Sequence, residues 1–91
     1  LSFNTQLFGQ GESHIQTAYN AIQNKNYKAA IESYNSAIQK TDNYAPAYYG
    51  RGLANFHLGE YDKAINDFNR AIKLDQNYFE AIYAKGICLV N

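Results

Sequence analysis

The feature that most constrains this chain is a phrase written twice. YKAAIESYNSAI at residues 27–38 returns as YDKAINDFNRAI at residues 61–72, a step of 34 residues from Tyr27 to Tyr61. Over that period residues 11–44 and 45–78 align without a gap. Eight positions are identical: Tyr27/Tyr61, Ala30/Ala64, Ile31/Ile65, Asn35/Asn69, Ala37/Ala71, Ile38/Ile72, Asn43/Asn77 and Tyr44/Tyr78. Unrelated segments of ordinary composition would share roughly two. A third copy begins at Phe79 and runs to Asn91, where Ala81, Tyr83 and Gly86 repeat Ala47, Tyr49 and Gly52. Such a period marks a stacked repeat protein, in which one copy cannot bury its own apolar face and its neighbours cover it. The division expected is an N-terminal extension at 1–10, full repeats at 11–44 and 45–78, and the first helix of an incomplete repeat at 79–91.

Within each unit the apolar residues fall at helical spacing. Tyr61, Ala64, Ile65, Phe68, Ala71 and Ile72 recur at steps of three and four and share one helix face. Tyr48, Tyr49, Gly52, Leu53 and Phe56 do the same in the first half of the unit. Pro46 suits a first helical turn, Gly59 suits a C-terminal cap after Leu58, and Asp62 can start the next helix. The pattern predicts helices at about 12–24, 28–40, 46–58, 62–74 and 79–90. The fold class is all-α, an α-solenoid of antiparallel helix-turn-helix repeats. Small residues at Ala18 or Gly52, Ala30/Ala64 and Ala37/Ala71 let paired helices approach closely, with Tyr34 and Phe68 as bulky knobs beside them.

Composition excludes several classes of function. Eight basic residues balance eight acidic ones, and the cations are scattered, so the chain lacks the footprint of a nucleic-acid or membrane-surface binder. No apolar run approaches the roughly 18–20 residues that span a bilayer. A single cysteine, Cys88, cannot form an internal disulfide and points to a reducing compartment such as the cytoplasm. The opening LSFNTQLFGQG has neither the basic segment nor the apolar core of a signal peptide, and suggests a piece of something longer.

Catalytic chemistry finds no footing either. His14 and His57 have no carboxylate at a spacing that suggests a metal site or a triad, and no phosphate loop is present. His14 reads as a packing residue and His57 as a helix-terminus or groove side chain. Cys88, in the apolar run GICLV without a basic neighbour, reads as an inert buried thiol. Glu32, Glu60, Asp62, Asp67 and Asp75 read as solvated helix faces. No enzyme, cofactor or metal is expected.

These residues resemble the tetratricopeptide repeat (TPR) family, whose pattern combines small residues on both helices with aromatics between them. Tyr48, Gly52, Tyr61, Ala64, Phe68 and Ala71 match it in the second repeat, and Ala18, Tyr27, Ala30, Tyr34 and Ala37 in the first. The departures are His14 for an aromatic, Asn55 for a tyrosine, and Asp42 and Gln76 for a proline. The resemblance implies a curved stack whose concave face is lined by the first helix of each pair. It places Glu12, Ile15, Tyr19, Ile22 and Gln23, then Pro46, Tyr49, Leu53, Phe56 and His57, then Glu80, Tyr83, Ile87 and Val90 in that groove. Most are aliphatic or aromatic, a larger apolar surface than a monomer usually leaves in water. Part of the stripe could equally be packing between neighbouring helices. If it is a groove, an amphipathic helix or extended peptide with apolar anchors is the natural guest.

Some TPR domains grip the C-terminal carboxylate of heat-shock chaperones with lysine, asparagine and arginine. The corresponding positions here hold Ile15, Tyr19, Gly50, Glu80 and Ala84, and only the Tyr19 hydroxyl could donate a side-chain hydrogen bond. That mode of binding is not expected. At the other end, Ile82, Gly86 and Leu89 form a face suited to a further helix. Three explanations are open: the chain continues in a longer array, its end pairs with another copy, or residues 1–10 cover an apolar face. Phe3, Leu7 and Phe8 could fill the groove of this chain or a neighbour.

The functional expectation is a non-catalytic protein-protein interaction module, binding a peptide or helix through Ile15, Tyr19, Ile22, Tyr49, Leu53, Phe56, His57, Tyr83 and Ile87. Glu12, Glu80 and His57 would set register at the edges. The alternative is a structural or self-associating segment of a longer TPR array, joined through Ile82 and Leu89.

Overall fold

A computed structural model of the chain describes residues 10–91, with side chains from Ser13 onward. Phe3, Leu7 and Phe8, and the side chain of Glu12, lie outside the described residues. Five helices follow one another: α1 (Gln10–Gln23), α2 (Tyr27–Lys40), α3 (Ala45–His57), α4 (Tyr61–Leu74) and α5 (Phe79–Val90). The first four begin one or two residues before the positions that periodicity predicts.

The punctuation repeats with the period. Pro46 lies in the first turn of α3 as expected. Thr41 and Asp75, 34 residues apart, are both extended and donate their backbone N–H to the carbonyls of Ala37 and Ala71. Gly59 closes the α3–α4 turn at φ +80°. Its counterpart in the first repeat is Lys25 at φ 61°, a left-handed conformation that costs a residue with a Cβ about 1–2 kcal/mol. Asp62 does not cap α4. That helix begins at Tyr61, Glu60 occupies the N-cap without a side-chain bond, and Asp62 sits in the first turn, where the helix dipole favours its charge.

The helices pack pairwise, α1 on α2 and α3 on α4, and the pairs stack through α2–α3 and α4–α5. Small residues make this possible. Ala18, Ala30, Ala47, Ala54, Ala64, Ala71 and Ala81 are completely or almost completely buried. Gly52 faces Phe68, the largest fully buried side chain, and Gly50 faces the ring of Tyr34. In one layer α1 touches α3 and α3 touches α5, whereas α2 and α4 do not touch each other. The stack therefore curves, with α1, α3 and α5 on the inside.

The splayed outer face holds a polar tie. Asp67 does not lie on a solvated face; it is buried. Arg51 on α3 donates from Nη2 to Asp67 Oδ1 at 2.7 Å and from Nε to Oδ2 at 3.0 Å. Its Nη1 donates to Asn35 Oδ1 on α2 at 2.9 Å, and Asn55 Nδ2 donates to Asp67 Oδ2 at 3.3 Å. The two-point arrangement fixes direction as well as distance, and joins α2, α3 and α4. These four residues line an open cleft of about 620 Å³ between α2 and α4.

A methyl group at residue 52 would lie 2.6 Å from Phe68 Cε1. Helix propensity alone would favour Gly52→Ala by about 1 kcal/mol, but overpacking of this kind costs about 1–3 kcal/mol. Gly52→Ala is expected to lower the thermal midpoint measured by circular dichroism; an unchanged or raised midpoint would show that α3 and α4 have room to spare.

Candidate partner-binding groove

On the inner face, α3 and α5 diverge around a cleft of about 240 Å³. Tyr49, Leu53, Phe56 and His57 line it from α3, and Glu80, Tyr83, Ala84 and Ile87 from α5. Helical spacing is what aligns them, since residues three and four apart share a face. Six of the nine residues expected in the groove thus stand in one cleft. Ile15 and Ile22 are half-buried and pack against the cluster of Ala18, Ala30, Tyr34, Ala47 and Ala54. Tyr19 is exposed on α1, outside the α3–α5 cleft.

Rings hold the α3 wall in place. Tyr49 packs 5.1 Å from Tyr78 and 5.9 Å from Phe68, centroid to centroid. Phe56 lies 5.6 Å from Tyr61. The imidazole of His57 stacks on Tyr27 at 4.7 Å with an interplanar angle of 11°, and meets Phe56 edge-on at 5.5 Å. His57 therefore ties the end of α3 to the start of α2, a role its sequence position did not disclose. Opposite this braced wall, Tyr83 on α5 is 74% exposed.

The electrostatics are one-sided. Glu80 is the only carboxylate in the lining, which contains no lysine or arginine. Burial, and then the Glu80 charge, push the Tyr49 phenol above its ordinary value. Burial likewise raises Tyr34, with Tyr19 and Tyr49 adding to the effect. Tyr78 is pushed up to about 12, by burial first and then by Tyr49, Glu80, Tyr44 and Tyr34. These phenols stay neutral throughout the physiological range. Tyr78 was legible only as half of the Tyr44/Tyr78 identity, and its distance from the helical stripe concealed its place beside Tyr49.

Other chemistry-bearing residues stand apart. His14 is half-buried. Cys88 is buried, and desolvation pushes its thiol up, away from the reactive thiolate. Among the described residues no three His, Cys, Asp or Glu side chains are grouped so as to hold a metal ion. No helix among them is long and apolar enough to cross a membrane.

Comparison with known proteins agrees with this geometry. A tetratricopeptide repeat profile matches residues 45–78 and a TPR repeat profile matches residues 21–59, together more than half of the chain. The chain belongs to the tetratricopeptide repeat family. The second TPR of Spaghetti (RPAP3), bound to the HSP90 peptide SRMEEVD, superposes with a TM-score of 0.88 at 26% identity, over 93% of this chain and 79% of that one. MamA superposes with a TM-score of 0.85 at 28% identity, over 87% of this chain and 46% of that one. The TPR2B domain of yeast Sti1 in complex with pHsp70 gives 0.86 at 24% identity, over 88% and 64%. This TPR chain thus spans less than two thirds of the Sti1 and MamA structures. No curated protein sequence matches it significantly.

A phenol whose folded pKa exceeds the free value near 10.0 favours the fold most fully below that value. This contribution is lost as pH rises from 10 through about 12. A phenolate titration at 295 nm is expected to show a late-ionising tyrosine that is absent from Tyr78→Phe, whose loss of stability over that range should be shallower. A wild-type titration in which all nine tyrosines ionise together with a midpoint near pH 10 would contradict the burial of Tyr78.

Proposed function

We propose that this TPR chain is a non-catalytic interaction module that holds a helix or extended segment of a partner protein between α3 and α5. The observation that carries the reading is the apolar floor of the cleft. Tyr49, Leu53, Phe56 and Ile87 are only half-buried there and Tyr83 is largely exposed, so the cleft presents aliphatic and aromatic side chains that apolar anchors of a partner could cover. Structural neighbours of the same fold support it, since RPAP3 holds an HSP90 peptide and Sti1 a pHsp70 partner. The buried free thiol of Cys88 suits a reducing compartment such as the cytoplasm.

The reading is tested by affinity capture from the source lysate with the native chain and with Leu53→Asp, both checked for helicity by circular dichroism. Burying a leucine contributes about 1.5–3 kcal/mol, so a groove-bound partner should bind at least about tenfold more weakly to the variant. Identical captures would remove the groove from consideration.

A second reading has its own observation. On the outer face of α5, Ile82 is 43% and Leu89 64% exposed, and a Cβ at Gly86 would meet nothing within 4 Å. That face suits stacking on a further helix, within a longer array or in a second copy. If it joins copies, light scattering should find the native chain associated and Leu89→Asp monomeric; a monomeric native chain would dismiss self-association.

A further inference from the structure

Resting on the groove reading above, we propose that the segment held between α3 and α5 carries a lysine or arginine beside its apolar anchor, seated against Glu80 and the neighbouring tyrosine rings. The charge of the cleft is the first reason. Its lining has one carboxylate and no lysine or arginine to answer it. Glu80 is exposed and forms no ion pair among the described residues. The helix dipole accounts for a carboxylate in the first turn of α5, but it leaves the outward oxygens without a donor. The same place is Glu12 in the first repeat and Pro46 in the second, so an acid recurs there without being required by the fold.

The second reason is the surroundings of that charge. Tyr49 and Tyr83 line the cleft with Glu80, and the Tyr78 ring lies against Tyr49. Tyrosine faces attract cations through the ring quadrupole, and this chain already uses them so. Arg51 and Arg70 lie 5.6 and 5.5 Å from the centre of the Tyr48 ring. The Tyr49 and Tyr78 hydroxyls stay neutral beside Glu80, so they add no second negative charge and can hydrogen-bond an ammonium or guanidinium. The imidazole of His57, which also lines the cleft, stacks on Tyr27 and meets Phe56 edge-on.

Charge also decides what is turned away. A segment of net negative charge such as SRMEEVD, which the RPAP3 neighbour holds and in which three acidic residues outweigh one arginine, would bring carboxylates to Glu80 and find no lysine or arginine in the cleft lining. Like charges brought together in a partly desolvated cleft oppose binding. The cleft therefore disfavours a segment in which acidic residues outnumber basic ones.

The test is a selection of random 12-residue peptides on the native chain, Glu80→Lys and Leu53→Asp, each verified as folded by circular dichroism. The native pool should join apolar residues to lysine or arginine, and the Glu80→Lys pool should lose those cations and gain aspartate or glutamate. A synthetic peptide from the native pool should bind Glu80→Gln about two- to fivefold more weakly. Replacing its cation by norleucine should produce a similar loss, and the two losses should not add. Pools whose charge is the same for the native chain and Glu80→Lys, while Leu53→Asp abolishes selection, would overturn the cation and leave the groove. Native pools unaffected by Leu53→Asp, or no enrichment at all, would overturn the groove reading and this inference with it.

Discussion

Everything in this fold depends on helices approaching where a side chain is missing. Gly52 lets the Phe68 ring reach the α3 backbone, Gly50 does the same for Tyr34, and buried alanines keep the remaining crossings short. Dispersion weakens steeply with distance, so a wider crossing would forfeit contact along whole helix faces. Close pairing of α3 with α4 also leaves the Tyr49, Leu53 and Phe56 edge of α3 only partly covered. The groove is thus a by-product of packing, in that the side chains left over on the inner layer are only partly buried by the described residues.

What the sequence disclosed was what recurs. Helices, turn positions, the Gly59 cap and the small-residue crossings all repeat at the same interval or follow from spacing along one helix. The Arg51–Asp67–Asn35–Asn55 tie does not. The residues one period before Arg51, Asn55 and Asp67 are Thr17, Ala21 and Ser33, so comparison of the copies passes over it. A buried Asp also looks like any surface Asp until its partner is located, and here the partner is 16 residues away on another helix. The traces were Asn55, a polar residue where the family has a tyrosine, and Asn35, one of the eight identities between the copies.

The stripe of expected groove residues divides for a similar reason. Spacing tells which face a residue occupies, but the neighbouring helix decides how deep that face lies. Ile15 and Ile22 meet the alanine-rich cluster shared by α1, α2 and α3. Tyr49, Leu53 and Phe56 face the gap to α5, because α3 alone has an inner-layer neighbour on both sides.

The placement of the polar tie has a mechanical consequence. Interdigitated methyl groups and rings resist shear through their fit, and a two-point ion pair adds a fixed direction to that fit. Arg51 braces the joint between the first helix pair and the second. Among the described residues no side-chain hydrogen bond or ion pair links α5 to α3 or α4. One joint of the stack thus carries a directional polar tie and the next only packing contacts, and the cleft lies at the second. The register of α5 against α3 therefore rests on the fit of side chains alone.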